Sequence, residues 1–283
     1  MAFKASKERK RRAPEPLSEG KSLGPSAAIR IWYQDMMRSV TKAMLADYKA
    51  ELAEAMEHPE AKAYFAEDAA PNSIFERVMR RLDSKWSEIF KAFGAKYAEE
   101  MVNKVDAQSK TSTFFSLSAA GVKQPVARYN ENVRQKIQAA VDFNHTLITK
   151  IQGDVHDKIY TAVMLSLTSP DPEKQGASGI QNALREAGYF SKKRVELIAR
   201  DQTSKVYSTL AMERLEDAGC THFKWLHSSA GKVPRQTHLE KDGEVFKIDD
   251  PRLWEGPEAD RGPPGWAINC RCRMVPVFGY REE

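Results

Sequence analysis

Residues 127–167 read ARYNENVRQKIQAAVDFNHTLITKIQGDVHDKIYTAVMLSL. Val133, Ile137, Val141, Ile148, Ile151, Val155, Ile159 and Val163 recur at intervals of three, four or seven. That spacing lines one face of an α-helix with apolar side chains. A helix of this length runs roughly 60 Å. The same rhythm appears upstream. Ser26 is placed to cap a helix to about Glu57, with Ile29, Trp32/Tyr33, Met36, Val40, Met44, Tyr48, Leu52 and Met56 on one face. His58-Pro59 stops it, because proline disfavours helix in the residue before it. A second helix starts at Asn72 or Ser73, with Phe75, Val78, Leu82, Trp86, Ile89/Phe90, Phe93, Tyr97, Met101 and Val105 as its stripe. Gly94 weakens it and allows a bend.

Residues 108–125 (QSKTSTFFSLSAAGVKQP) break the period and read as a linker with an apolar tip at Phe114-Phe115. Two shorter helices are expected near 173–187 and 191–218, with Gly188 and Gly219 at their C-terminal caps. From Cys220 onward the pattern changes. THFKWLH and GEVFKI alternate, CRMVPVFGY favours strand, and Gly, Pro and Asp cluster between them. A β-containing module that small needs a staple or a neighbouring wall, and the helix before it supplies a wall.

Composition narrows the class. The 283 residues are 41% hydrophobic and 29% charged, and their 5 Trp, 12 Phe and 9 Tyr exclude a wholly disordered chain. No apolar run approaches the ~18–20 residues of a membrane span. The charges at the N-terminus are not followed by the apolar stretch of a secretory signal, so a cytosolic setting is expected. Three cysteines (Cys220, Cys270, Cys272) make no disulfide framework for this length. The net charge of +5 belongs to the first twelve residues, where Lys4, Lys7, Arg9, Lys10, Arg11 and Arg12 face only Glu8. Such a tract suits weak, salt-sensitive binding to nucleic acid or another polyanion, or simply a solvated leader.

The densest cluster of unusual residues spans 225–277. Trp225 is followed by Arg235, His238, Asp242-Gly243, Asp249-Asp250-Pro251, Trp254, Pro263-Pro264-Gly265-Trp266 and Cys270-Arg271-Cys272. Asp242-Gly243 suggests a tight turn with positive φ. Pro-Pro-Gly-Trp suggests a rigid loop that pins a ring. Two thiolates and the imidazole of His238 are able to share one Zn²⁺, with His227 or Cys220 as a further ligand. A Cys-x-Cys in an extended strand, however, points its sulfurs to opposite faces unless a turn intervenes, so buried packing thiols are the expectation. A Cys270/His238 nucleophile pair with Asp242 as orienter is the enzymatic alternative. No HExxH, GxSxG or phosphate-cradling glycine loop accompanies it. His145 falls on the buried stripe of its helix, and His156, beside Asp154 and Asp157, on the wet side. Arg200-Asp201-Gln202-Thr203 is either an exposed face or a step from which Arg200 reaches backbone carbonyls of the C-terminal module.

Ile198-Ala199-Arg200-Asp201-Gln202, Trp225, Arg235-x-x-His238, Asp242-Gly243, Pro263-Pro264-Gly265-Trp266 and Cys270-Arg271-Cys272, with Pro276-Val277 behind them, resemble in order and spacing the Mu F-like phage head morphogenesis family. The resemblance covers about residues 170–278. It implies a minor head protein of a tailed phage, associated with the portal vertex and acting in procapsid assembly, DNA packaging or delivery. Some relatives carry a histidine shortly before Cys-Arg-Cys, where this chain has Ala267 and Ile268, which speaks against zinc.

The expected fold class is α+β, an elongated, mainly α-helical N-terminal region with a small α+β C-terminal module. Residues 1–25 are expected to form a disordered basic tail, 26–168 the long-helix region and 170–283 the head-morphogenesis module. The expected function is a non-enzymatic minor capsid protein of the virion, present in the host cytoplasm during assembly. Its expected partners are the portal protein, the major capsid or scaffold protein, and packaged DNA through residues 4–12 (Lys7, Arg9, Lys10, Arg11 and Arg12 within them). No membrane, cofactor or metal is expected. Arg200, Trp225, Arg235, His238, Asp242, Gly243, Pro264, Trp266, Cys270 and Cys272 form the structural motif, and loss of Cys270 or Trp266 is expected to destabilise the module by about a few kcal/mol.

Overall fold

The computed structural model describes residues 18–59, 61, 72–123, 130–169, 171, 174–229 and 234–279. Strand β1 (Ser18–Glu19) precedes four long helices, α1 (Ala27–Glu57), α2 (Asn72–Ala119), α3 (Glu131–Thr168) and α4 (Gly176–Asp217). Strand β2 (His222–Leu226), a short helix α5 (Gln236–Glu240), β3 (Val245–Lys247), two 3₁₀ turns and β4 (Arg273–Phe278) follow. The fold is α+β and mainly helical, as the periodicity predicts. The basic tract at residues 4–12 lies outside the described residues.

Helix α1 begins at Ser26, whose hydroxyl accepts from the Ile29 N–H at 3.5 Å. Its buried face is Tyr33, Met37, Thr41, Met44, Tyr48, Leu52 and Ala55, one residue beyond the expected stripe in its first half. Thr41 tolerates the interior because its hydroxyl returns to the Met37 carbonyl at 2.7 Å. Helix α3 is capped by Asn130, whose side-chain oxygen accepts from Val133 N–H at 2.8 Å. Val133, Ile148, Ile151, Val155, Ile159 and Val163 are buried as expected, with Ile137 and Val141 half-buried. Gly94 marks a close approach of α2 and α3: a Cβ there would lie 2.9 Å from His145 Cδ2. His145 itself is half-buried, and Asn144 occupies the interior, accepting from the Tyr33 hydroxyl at 3.2 Å. His156 is not on the wet side: its Nδ1 meets the Tyr48 hydroxyl at 2.7 Å.

Residues 108–119 are helix rather than linker. Of their inward positions Ser109, Thr113 and Ser116 are small hydroxyl residues, which hold the period without the bulk that announces it, and Leu117 alone is large and apolar. Ser112 bonds back to the Gln108 carbonyl at 2.9 Å, and Ser116 reaches across to the Lys21 carbonyl at 2.6 Å. Phe114 and Phe115 are exposed on this helix.

The two helices expected at 173–187 and 191–218 are one. Gly188 is not a cap, since the chain continues as helix there against Leu45, and Ser191 bonds to the Gly188 carbonyl at 2.9 Å. Gly219, at φ 75°, does end the helix, and Cys220 N–H then closes onto the Leu215 carbonyl at 2.9 Å. Helix α4 packs against α1, α2 and α3, and residues from the long helices and the sheet share one apolar core.

The sheet has the order β1-β4-β2-β3 with every pairing antiparallel. Trp225 stands opposite Met274, and His222 opposite Val277. Residues 18–25, expected within the disordered tail, belong to the fold. Ser18 and Glu19 pair with Phe278 and Val277, Leu23 N–H donates to the Met274 carbonyl at 2.7 Å, and the Leu23 side chain is buried. Among the described residues no helix is long and apolar enough to cross a membrane.

Candidate functional site

Strand β2 sets Trp225 in the interior, fully buried. Its ring meets the His238 imidazole edge-on at 5.2 Å and the Phe246 ring at 6.1 Å. Helix α5 carries His238 inward. The expected turn at Asp242-Gly243 follows that helix, with Gly243 at φ 81°. Gly243 N–H donates to the Trp225 carbonyl at 2.9 Å, and Asp242 Oδ1 accepts from His227 N–H at 2.7 Å. The turn therefore ties α5 to the end of β2.

Pro263, Pro264 and Gly265 are buried against α4, where the Ser208 hydroxyl donates to the Pro264 carbonyl at 2.7 Å. The Trp266 ring lies outside them, 36% exposed, beside Trp254. The loop itself is held by its buried prolines, while the ring it is expected to pin is partly exposed and Trp225 is the fully buried tryptophan of the module.

Arg200 does reach the C-terminal module, donating to the Asn269 side-chain oxygen at 3.1 Å rather than to a backbone carbonyl. The carbonyl contact is made by Arg235, to Ile268 at 2.8 Å, and Arg235 also pairs with Asp260 at 2.6 Å. Asp201, Gln202 and Thr203 are buried, not an exposed face. Asp260 and Asn269 organise this corner and were absent from the sequence motif. Asp260 accepts from Thr237 at 2.8 Å, and its carbonyl faces His238 Nε2 at 3.1 Å. Asn269, at φ 60°, turns the chain into the cysteines.

That turn is the exception that keeps the two sulfurs from splaying. Cys270 and Cys272 lie before β4 begins, so strand alternation does not apply to them. His238 Nδ1 stands 3.6 Å from each sulfur, and all three residues are buried. The Cys272 thiol is the main influence drawing the Cys270 thiol below its ordinary range; burial opposes it, and His238 and the Gly265 N–H at 3.4 Å assist it. The Cys272 thiol is pushed up by the same pairing and by burial, so the two sulfurs give up one proton readily and hold the other. Cys220 lies apart from them, its sulfur 3.2 Å from the His222 carbonyl, and burial raises its thiol. Next to the cluster a cavity of about 630 Å³ is lined by Arg30, Arg200, Arg271 and Arg273 together with Ser26 and Cys270.

The arrangement defines a class: a bundle of long helices whose last member backs a small antiparallel sheet, closed by a buried His/Cys/Cys cluster. Residues 157–275 match the family model described as Phage Mu protein F like protein, the family that the motif resembles. An uncharacterized protein of Haemophilus influenzae is 28% identical over 268 residues, which cover 91% of this chain and 55% of that relative. The chain thus spans about half the length of the curated relative it matches. No solved structure matches it.

Proposed function

We propose that this protein is a minor head protein of a tailed phage, a non-enzymatic virion component that assembles at the portal vertex. The observation that carries this reading is the Phage Mu protein F-like match over residues 157–275. The packing of the motif supports it. Trp225, His238, Cys270 and Cys272 are at most 4% exposed and hold α5, the proline loop and β4 together. A thiol hydrolase or nuclease needs its sulfur presented to substrate, whereas Cys270 and Cys272 border the neighbouring cavity with only 4% of their surface exposed. The long helices supply surface for the portal ring, with major capsid or scaffold protein as further contacts, in heads assembled in the host cytoplasm.

Assembled heads disrupted under mild conditions are expected to release this chain together with the portal ring, detected by co-sedimentation and mass spectrometry. Heads that lack the chain, or a chain that separates cleanly from the portal, overturn the reading.

A second reading rests on the composition of residues 4–12, which contain six basic side chains and one acidic one. The tail binds packaged DNA through phosphate contacts. Retention of the full chain on duplex DNA is expected to fall steeply with rising salt, and deletion of residues 4–12 to abolish it even at low salt. Equal retention with and without the tail would overturn this reading.

A further inference from the structure

His238 on α5 and the cysteines before β4 are more than thirty positions apart in the sequence, yet their ligand atoms all lie within 4.8 Å of one another in the interior. A tetrahedral zinc ion with sulfur at about 2.3 Å and imidazole nitrogen at about 2.0–2.1 Å requires S···N separations of about 3.6 Å. His238 Nδ1 stands 3.6 Å from both sulfurs. We propose that this cluster is a zinc site, in which His238 Nδ1 and the Cys270 and Cys272 thiolates supply three ligands to one Zn²⁺.

The surroundings fit that assignment. The Asp260 carbonyl can only accept, so His238 carries its proton on Nε2 and donates it there at 3.1 Å. Nδ1 is thereby left with its lone pair toward the sulfurs, the second-shell arrangement that orients a ligating imidazole. Two sulfurs and one nitrogen, with no carboxylate among them, match zinc and other borderline-soft ions rather than magnesium or calcium. Two thiolates neutralise the dication, so the interior holds no net charge. The backbone N–H of Gly265, 3.4 Å from Cys270 Sγ, is a donor to a charged sulfur.

Binding forms two Zn–S bonds, and the proton that the pair of sulfurs still holds leaves to solvent. Among the described residues the cluster has no fourth His, Cys, Asp or Glu. The fourth position faces a cavity of about 430 Å³ bordered by His227, Ser228, Pro234 and Arg235, and water takes it. The ion adds a staple between α5 and the segment before β4, which the Arg235 contact to the Ile268 carbonyl also joins.

The full chain, purified without chelator, is expected to carry about one equivalent of zinc by elemental mass spectrometry. Cobalt(II) in its place is expected to give a thiolate-to-metal charge-transfer band and intense tetrahedral d–d bands. Cys270→Ser, Cys272→Ser and His238→Asn each remove the bound metal. A variant that unfolds is replaced by a protection assay on Cys220→Ser, which keeps only the two site thiols. There, zinc slows alkylation at least tenfold and a chelator restores it. A folded wild-type chain that holds well under one equivalent, cobalt without the charge-transfer band, or alkylation indifferent to zinc overturns the proposal and leaves S–H···N hydrogen bonds as the cluster's whole content. None of these readouts involves the portal, so the proposal stands or falls apart from the assembly reading.

Discussion

Replacing Arg214 by alanine is expected to destabilise the protein by about 3–5 kcal/mol, the cost of breaking a buried ion pair from one side. Arg214 lies on the inner face of α4 with its side chain 1% exposed. One guanidinium nitrogen donates to Ser109 Oγ at 2.9 Å and to the Leu210 carbonyl at 3.3 Å, and the other pairs with Asp106. The alanine variant takes the guanidinium from a mostly buried carboxylate, strips a donor from Ser109 and leaves a void between α2 and α4. For a domain of this size the melting temperature should drop by roughly 10 °C. The paired variant Arg214→Met with Asp106→Leu should recover most of the loss, because it removes both charges and refills the volume. Thermal unfolding of the three proteins checks this. A single variant within about 1 kcal/mol of wild type would mean that α2 and α4 are held by apolar packing alone.

The same pair explains why part of the fold was illegible. Helices α1 and α3 announce themselves through large apolar side chains at helical spacing, and their caps, Ser26 and Asn130, are residues whose side-chain oxygens seek free N–H groups. The second half of α2 keeps the same period in hydroxyls. Ser109 and Ser116 face inward because Arg214 and the Lys21 carbonyl offer them polar partners, and those partners lie about a hundred positions away. Local reading has no access to such partners and takes the stretch for a linker. Strand β1 is a strand only through its pairing with β4, since two residues carry no alternation of their own. Gly188 resembles a cap, but the neighbouring Leu45 accommodates an uninterrupted helix.

For the site, the residue identities were legible and their geometry was not. Trp225, Arg235, His238, Asp242-Gly243 and the cysteines stand out by type and spacing, and the match over residues 157–275 covers them. The convergence of Cys270 and Cys272 depends on the left-handed Asn269 and on β4 starting at Arg273, one residue after the second sulfur. Strand alternation sends the two sulfurs apart unless a turn intervenes, and nothing in the local pattern announces that turn. Asp260 was invisible because its role lies as much in its backbone carbonyl as in its carboxylate, and any residue type possesses a carbonyl.

The centre of the module should reveal itself through two tryptophans. Trp225→Ala is expected to cost about 3–5 kcal/mol, the range for truncating a fully buried large aromatic side chain. Its ring fills the space between His238, Phe246 and Met274, with the Lys241 ammonium 5.3 Å from its centroid. Removing it leaves His238 without the wall that fixes its ring, so the loss should spread to α5 and the turn at Gly243. Trp266→Ala is expected to cost no more than about 1 kcal/mol, because that ring is partly exposed, meeting Trp254 edge-to-face and lying over Gly262. Denaturant unfolding of both variants measures the contrast. Equal losses, or a larger loss at Trp266, would place the module's centre in the proline loop rather than at the strand that backs the histidine.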